Sequence, residues 1–66
     1  MKLTQKELDE ALRWASLKGY IEIVRLLLEK GADVHANNNS ALRWAIYNGH
    51  IAVVNLLKTY KPNQDA

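Results

Sequence analysis

Arg13-Trp14 and Arg43-Trp44 are the side chains in this sequence best suited to gripping a ligand. A guanidinium holds a carboxylate or phosphate with paired N–H donors, and an indole offers a flat apolar face for stacking. Exposed side by side, Arg13, Arg43, Trp14 and Trp44 would make a site for a nucleotide-like anion. The opposing expectation is structural, with both tryptophans packed between helices and both arginines paired within their own segment. Other chemistry is poorly provided for. His35 and His50 lack the further ligands that a metal ion needs, and the absence of cysteine excludes disulfides and thiolate zinc sites. Ser16 has no evident base beside it, and neither a glycine-rich phosphate loop nor a carboxylate pair in a plausible cleft is visible. The expectation is a non-catalytic chain with no metal and no cofactor.

The elements that carry these residues repeat. Ala-Leu-Arg-Trp-Ala occurs at Ala11–Ala15 and again at Ala41–Ala45. A shift of thirty residues also aligns Gly19 with Gly49, Ile21 with Ile51, Val24 with Val54, and Leu26-Leu27 with Leu56-Leu57. Such self-similarity marks a stacked repeat architecture. Thr4 with Glu7 forms a capping-box pattern, and Leu3 and Leu8 stand where a hydrophobic staple would sit. Leu8, Ala11, Leu12 and Ala15 then recur at helical spacing, which predicts a first helix over about 5–17, ended by Gly19. Ile21, Val24, Leu27 and Leu28 predict a second helix closed by Lys30-Gly31, with Ile23 and Leu26 widening its apolar stripe. The asparagine-rich stretch up to Asn39 suits a turn and tolerates left-handed backbone. Ser40 is placed to cap a third helix over about 41–47, and a fourth runs over about 51–59 before Lys61-Pro62-Asn63. The whole reads as all-α, a helical solenoid of two helix–turn–helix units with a lengthened amino-terminal capping helix.

Sixty-six residues make a single domain, 1–66, near the lower limit for independent folding. The first repeat with its cap occupies 4–36, the second 37–61, and 62–66 is a tail. A net charge of +2 is too small to argue for nucleic acid. The apolar runs are too short for a signal peptide or a membrane span, so the default expectation is an intracellular, cytoplasmic protein.

The segment from Gly19 to Ala36, with its Gly31-Ala32-Asp33-Val34 turn, resembles the ankyrin-repeat family, and Asn48 to Leu57 repeats the first part of that match. The resemblance covers about 11–60. The period is 30 residues rather than the family's usual 33 or so, and Ser40-Ala41-Leu42-Arg43 replaces its threonine-proline-leucine-histidine opening. The family's histidine hydrogen-bond bracket is therefore absent. Shortened repeats of this kind resemble the ankyrin arrays of large DNA viruses and intracellular microbes. That likeness points to a viral or phage source and a host protein as the blocked or adapted partner.

The resemblance also implies where a partner would bind. The first-helix positions are Leu17 and Lys18 in one repeat and Tyr47 and Asn48 in the other. The loop positions are His35, Asn37, Asn38 and Asn39. Tyr47 is the best anchor, because tyrosine combines rigid contact area with a hydroxyl. Two repeats leave flanks that normally need a neighbour. The second repeat grows more apolar where a cap should grow polar, so Ile46, Ala52, Val53 and Tyr60 are expected to bury themselves in a homodimer or small oligomer, or against a partner.

Overall fold

The computed structural model describes residues 2–60, which form four helices: α1 (Gln5–Lys18), α2 (Ile21–Glu29), α3 (Ala36–Tyr47) and α4 (Ile51–Thr59). The expected stop at Lys61-Pro62-Asn63 and the tail lie outside the described residues. The capping box at the start of α1 is present. Thr4 Oγ1 accepts the Glu7 N–H at 3.1 Å, and Glu7 Oε1 accepts the Thr4 N–H at 2.8 Å. Two of the N–H groups left open at a helix start are thereby satisfied.

Each helical turn closes in the same way, thirty residues apart. Gly19 and Tyr20 return their N–H groups to Ser16 and Ala15, as Gly49 and His50 do to Ile46 and Ala45. This closure needs a left-handed residue, and glycine supplies it at φ 78° and 73° respectively. The loop before the second repeat is less ordinary. Asn37, Asn38 and Asn39 all adopt left-handed backbone, with φ of 55°, 62° and 64°. Such a run costs most residues roughly 1–2 kcal/mol per position, and asparagine is among the few that tolerate it. Regular right-handed helix starts only after it. Ser40 does not cap that helix as expected; its hydroxyl instead lies 3.5 Å from the Ala36 carbonyl, turned back into the loop.

The two hairpins lie side by side, with α1 against α3 as the principal contact and α2 against α4 as the lesser one. Leu8, Leu12 and Ala15 of α1, Val24, Leu27 and Leu28 of α2, Ala41 and Ala45 of α3, and Val53 and Leu57 of α4 form one core. Alanines and Ser16 on α1 and α3 let those helices approach closely. Ser16 is fully buried there, and its hydroxyl has no hydrogen-bond partner among the described residues.

His50 locks the hairpins together. Its Nε2 lies 2.9 Å from the Leu17 carbonyl oxygen, which can only accept, so Nε2 carries the proton. The ring occupies space that any side chain at residue 19 would fill, since a Cβ on Gly19 would fall 2.5 Å from Nδ1. Tyr60 adds a second link by donating its hydroxyl to the Leu28 carbonyl at 3.2 Å.

Burial follows position in the stack rather than residue type. Ser16 is 0% exposed whereas its counterpart Ile46 is 53% exposed; Val53 is 1% exposed whereas its counterpart Ile23 is 46%. Two sequence expectations are corrected here. Val53 is core and Tyr60 is half-buried in an internal bond, so neither belongs to an open association surface. Ile23 and Leu26 are exposed and do not widen a buried stripe. The lengthened capping helix α1 is present, and Tyr20, Ile23 and Leu26 stand exposed on the outer flank of its repeat.

Gly19→Ala and Gly49→Ala separate backbone strain from the His50 cradle. Both place alanine at positive φ, which costs upwards of about 1 kcal/mol. Among the described residues an obstacle faces residue 19, whereas nothing lies within 4 Å of the corresponding Cβ position at Gly49. Urea unfolding is expected to show Gly19→Ala losing at least about 1 kcal/mol more than Gly49→Ala. Equal losses would remove His50 from its locking role.

Candidate functional site

Both tryptophans stand on the surface, 52% exposed at Trp14 and 42% at Trp44, which overturns the expectation that they pack in the core. Each is steadied by a tyrosine. Trp14 meets Tyr20 with centroids 5.7 Å apart at 61°, and Trp44 meets Tyr47 at 5.8 Å and 89°. Edge-to-face pairs of this kind contribute about 0.5–1.5 kcal/mol beyond area burial and restrict both rings. The tyrosines come from different register positions. In the second repeat the position equivalent to Tyr20 is His50, which the junction already uses, and Tyr47 takes its place beside the indole.

Cations accompany the rings. Lys18 Nζ lies 5.6 Å from the Trp14 ring centroid, within cation–π range. Arg13 and Arg43 are exposed one residue before each indole. Arg43 is three residues from Ile46 and four from Tyr47, the spacing that makes helical neighbours. The surface therefore offers aromatic area edged with positive charge on the two helices that pack against each other.

The remaining predicted residues divide. Leu17 is half-buried and its carbonyl is engaged by His50. Asn48 donates its side-chain amide to the Trp44 carbonyl at 2.9 Å and so finishes α3. His35 Nδ1 and Asn39 Oδ1 lie 2.7 Å apart, and the His35 N–H donates to Asp33 at 2.9 Å. That pair repeats, thirty residues on, the contact of Gln5 Nε2 with Asp9 Oδ1 at 2.8 Å. In the first repeat the same two side chains also bind the Gly31 carbonyl and the Asp33 N–H, tying the loop to the start of α1. Asn37 and Asn38 are exposed at the tip. The loop residues and the Trp44–Tyr47 pair thus lie toward opposite ends of α3, and the predicted set is not one compact site.

Sequence reasoning missed Tyr20, Ile23, Leu26 and Ile51, all exposed. The thirty-residue register held the signal, since each aligns with a residue that the stack covers more fully. A groove of about 540 Å³ lined by Lys2, Leu3, Leu8, Leu26, Leu27 and Lys30 runs along the amino-terminal flank. A second, of about 450 Å³, lies between the start of α1 and Ala36-Asn37. Among the described residues no three histidine, aspartate or glutamate side chains gather as a metal site, and no helix is long and apolar enough to cross a membrane.

No curated protein and no solved structure matches the chain. The family described as "Ankyrin repeats (3 copies)" matches residues 1–66, a description of three repeats met here by the two hairpins of the described residues. Ankyrin repeats are generally protein–protein interaction modules, and the family is typically non-catalytic. A match over the full length, together with paired antiparallel helices in a thirty-residue register, places this chain in the ankyrin-repeat family.

Proposed function

We propose that this chain docks on a partner protein through the aromatic and cationic surface of α1 and α3, and acts by occluding or adapting that partner. The observation that carries the reading is the pair of exposed Trp–Tyr contacts, at Trp14–Tyr20 and Trp44–Tyr47. Large rings held rigidly on helices lose little conformational entropy on binding, and tryptophan, tyrosine and arginine dominate binding hot spots. Lys18, Arg13 and Arg43 favour a partner with carboxylates beside an apolar anchor. Asn37, Asn38 and the loop around His35 and Asn39 add adaptable hydrogen bonding at the other end. Occlusion is the simplest mechanism for a surface of this size, and a host factor fits the likeness to viral arrays. Recovery of the partner by crosslinking at residue 47, followed by titration, tests the reading. Trp14→Ala and Trp44→Ala are each expected to weaken binding by about 2 kcal/mol or more while leaving the helical content unchanged. A partner that binds both variants as it binds the parent chain would contradict it.

A second reading is supported by the exposure of both indoles and both guanidiniums. An oligomer could gather Arg13, Arg43, Trp14 and Trp44 around a nucleotide-like anion. A thermal-shift series with nucleotides separates the readings, because a true ligand at 100 times its dissociation constant adds about 2.7 kcal/mol of stability. No shift with any nucleotide leaves the protein-docking reading alone.

A further inference from the structure

Among the described residues nothing covers the flank of the second repeat that faces away from the first, and its chemistry differs from that of the covered flank it repeats. Ile46 stands where the first repeat has the fully buried Ser16, and Ile51, 66% exposed, stands where Ile21 is half-buried. Val54 is half-buried beside them, and Tyr47, 68% exposed, stands at the edge. Ile51, Val54 and Lys58 follow one another at the spacing of a single helical face, as do Arg43, Ile46 and Tyr47 on α3. Because α3 ends at Tyr47 and α4 begins at Ile51, both residues lie near the turn. Arg43 and Lys58 lie toward the other end of the hairpin. No carboxylate occurs in the sequence between Asp33 and Asp65, so the described part of the second repeat has no negative side chain to offset these cations.

We infer that this flank binds an amphipathic helix of a partner protein whose apolar face carries carboxylates grouped toward one end. The apolar end of that helix would cover Ile46 and Ile51, and its acidic end would meet Arg43 and Lys58. A second copy of this chain fits poorly. A two-fold dimer with its axis along the helices brings Arg43 and Lys58 against the same charges of the copy, and one with its axis across them buries these charges over Tyr47 and Ile51 without a carboxylate to pair with. Head-to-tail stacking would force Ile46 into the place where only a serine is accommodated in the internal junction, between alanines that recur unchanged at Ala11 and Ala15. It would also set Lys30 against Lys58, where the internal junction pairs Tyr60 with the Leu28 carbonyl.

The site shares Arg43 and Tyr47 with the docking surface of α1 and α3 but not Trp14, and one titration distinguishes the two. The probes are two synthetic 18-residue helices with the same leucine stripe, one with glutamates and one with lysines grouped in the terminal turns. Each is added to the ¹⁵N-labelled full chain. The glutamate helix is expected to shift the amides of Ile46, Ile51, Val54 and Lys58, and to weaken as salt rises. Ile46→Ser, which restores the first repeat's residue, and Lys58→Glu are each expected to weaken it about tenfold or more. Trp14→Ala leaves it unchanged, even where that substitution abolishes binding at the Trp14 surface. Equal binding of the lysine helix, indifference to Ile46→Ser, or no binding up to about 1 mM would overturn the inference. So would sedimentation showing a dimer of the parent chain that Ile46→Ser dissociates.

Discussion

His50 reaches across from the second hairpin into the space that Gly19 leaves empty, and its ring nitrogen holds the Leu17 carbonyl at 2.9 Å. Much else follows from that contact. It satisfies a carbonyl at the carboxyl end of α1, where the helix has no partner of its own to offer. The same placement of α4 beside the first hairpin puts Val53 in the core and Tyr60 within reach of the Leu28 carbonyl. A hairpin of two short helices cannot bury enough apolar surface alone, so the junction is where a marginal chain becomes a folded one.

Stacking also decides what remains exposed. The covered flank of the first repeat and the open flank of the second are made from aligned residues, yet Ser16 became Ile46 and Leu28 became Lys58. At the other end, Tyr20, Ile23 and Leu26 occupy positions that the second repeat uses to grip the first. Both ends therefore present apolar surface, one of them edged with positive charge that no carboxylate among the described residues of its repeat opposes. The Trp–Tyr pairs add a third surface along α1 and α3. A chain with so little interior and so much ordered apolar exterior is built for contact with other molecules.

The helices were legible because their signals are local. Thr4 with Glu7, and glycine at 19, 31 and 49, act on backbone groups within a turn of themselves, and every one falls at an element boundary. The asparagine run announced a left-handed loop for the same reason. Burial was less legible, since it depends on which neighbour is present. Val53 and Ile23 are both β-branched and occupy the same register position, but only Val53 has a repeat beside it. Trp14 and Trp44 misled for a related reason. The general burial of tryptophan suggested a core role, whereas both indoles stand exposed with a tyrosine at their edge. Ser40 was misread because the left-handed asparagines already turn the chain, leaving its hydroxyl to face Ala36.

The account rests on two hairpins behaving as one cooperative unit through the junction. Each carries one tryptophan, so Trp14→Phe and Trp44→Phe leave a single fluorescent reporter in one repeat or the other. Urea unfolding of each variant, followed by fluorescence and by far-ultraviolet circular dichroism, is expected to give coincident transitions for both. A fluorescence midpoint displaced from the dichroism midpoint in either variant would mean that the repeats melt independently, and the junction would not be what holds this fold together.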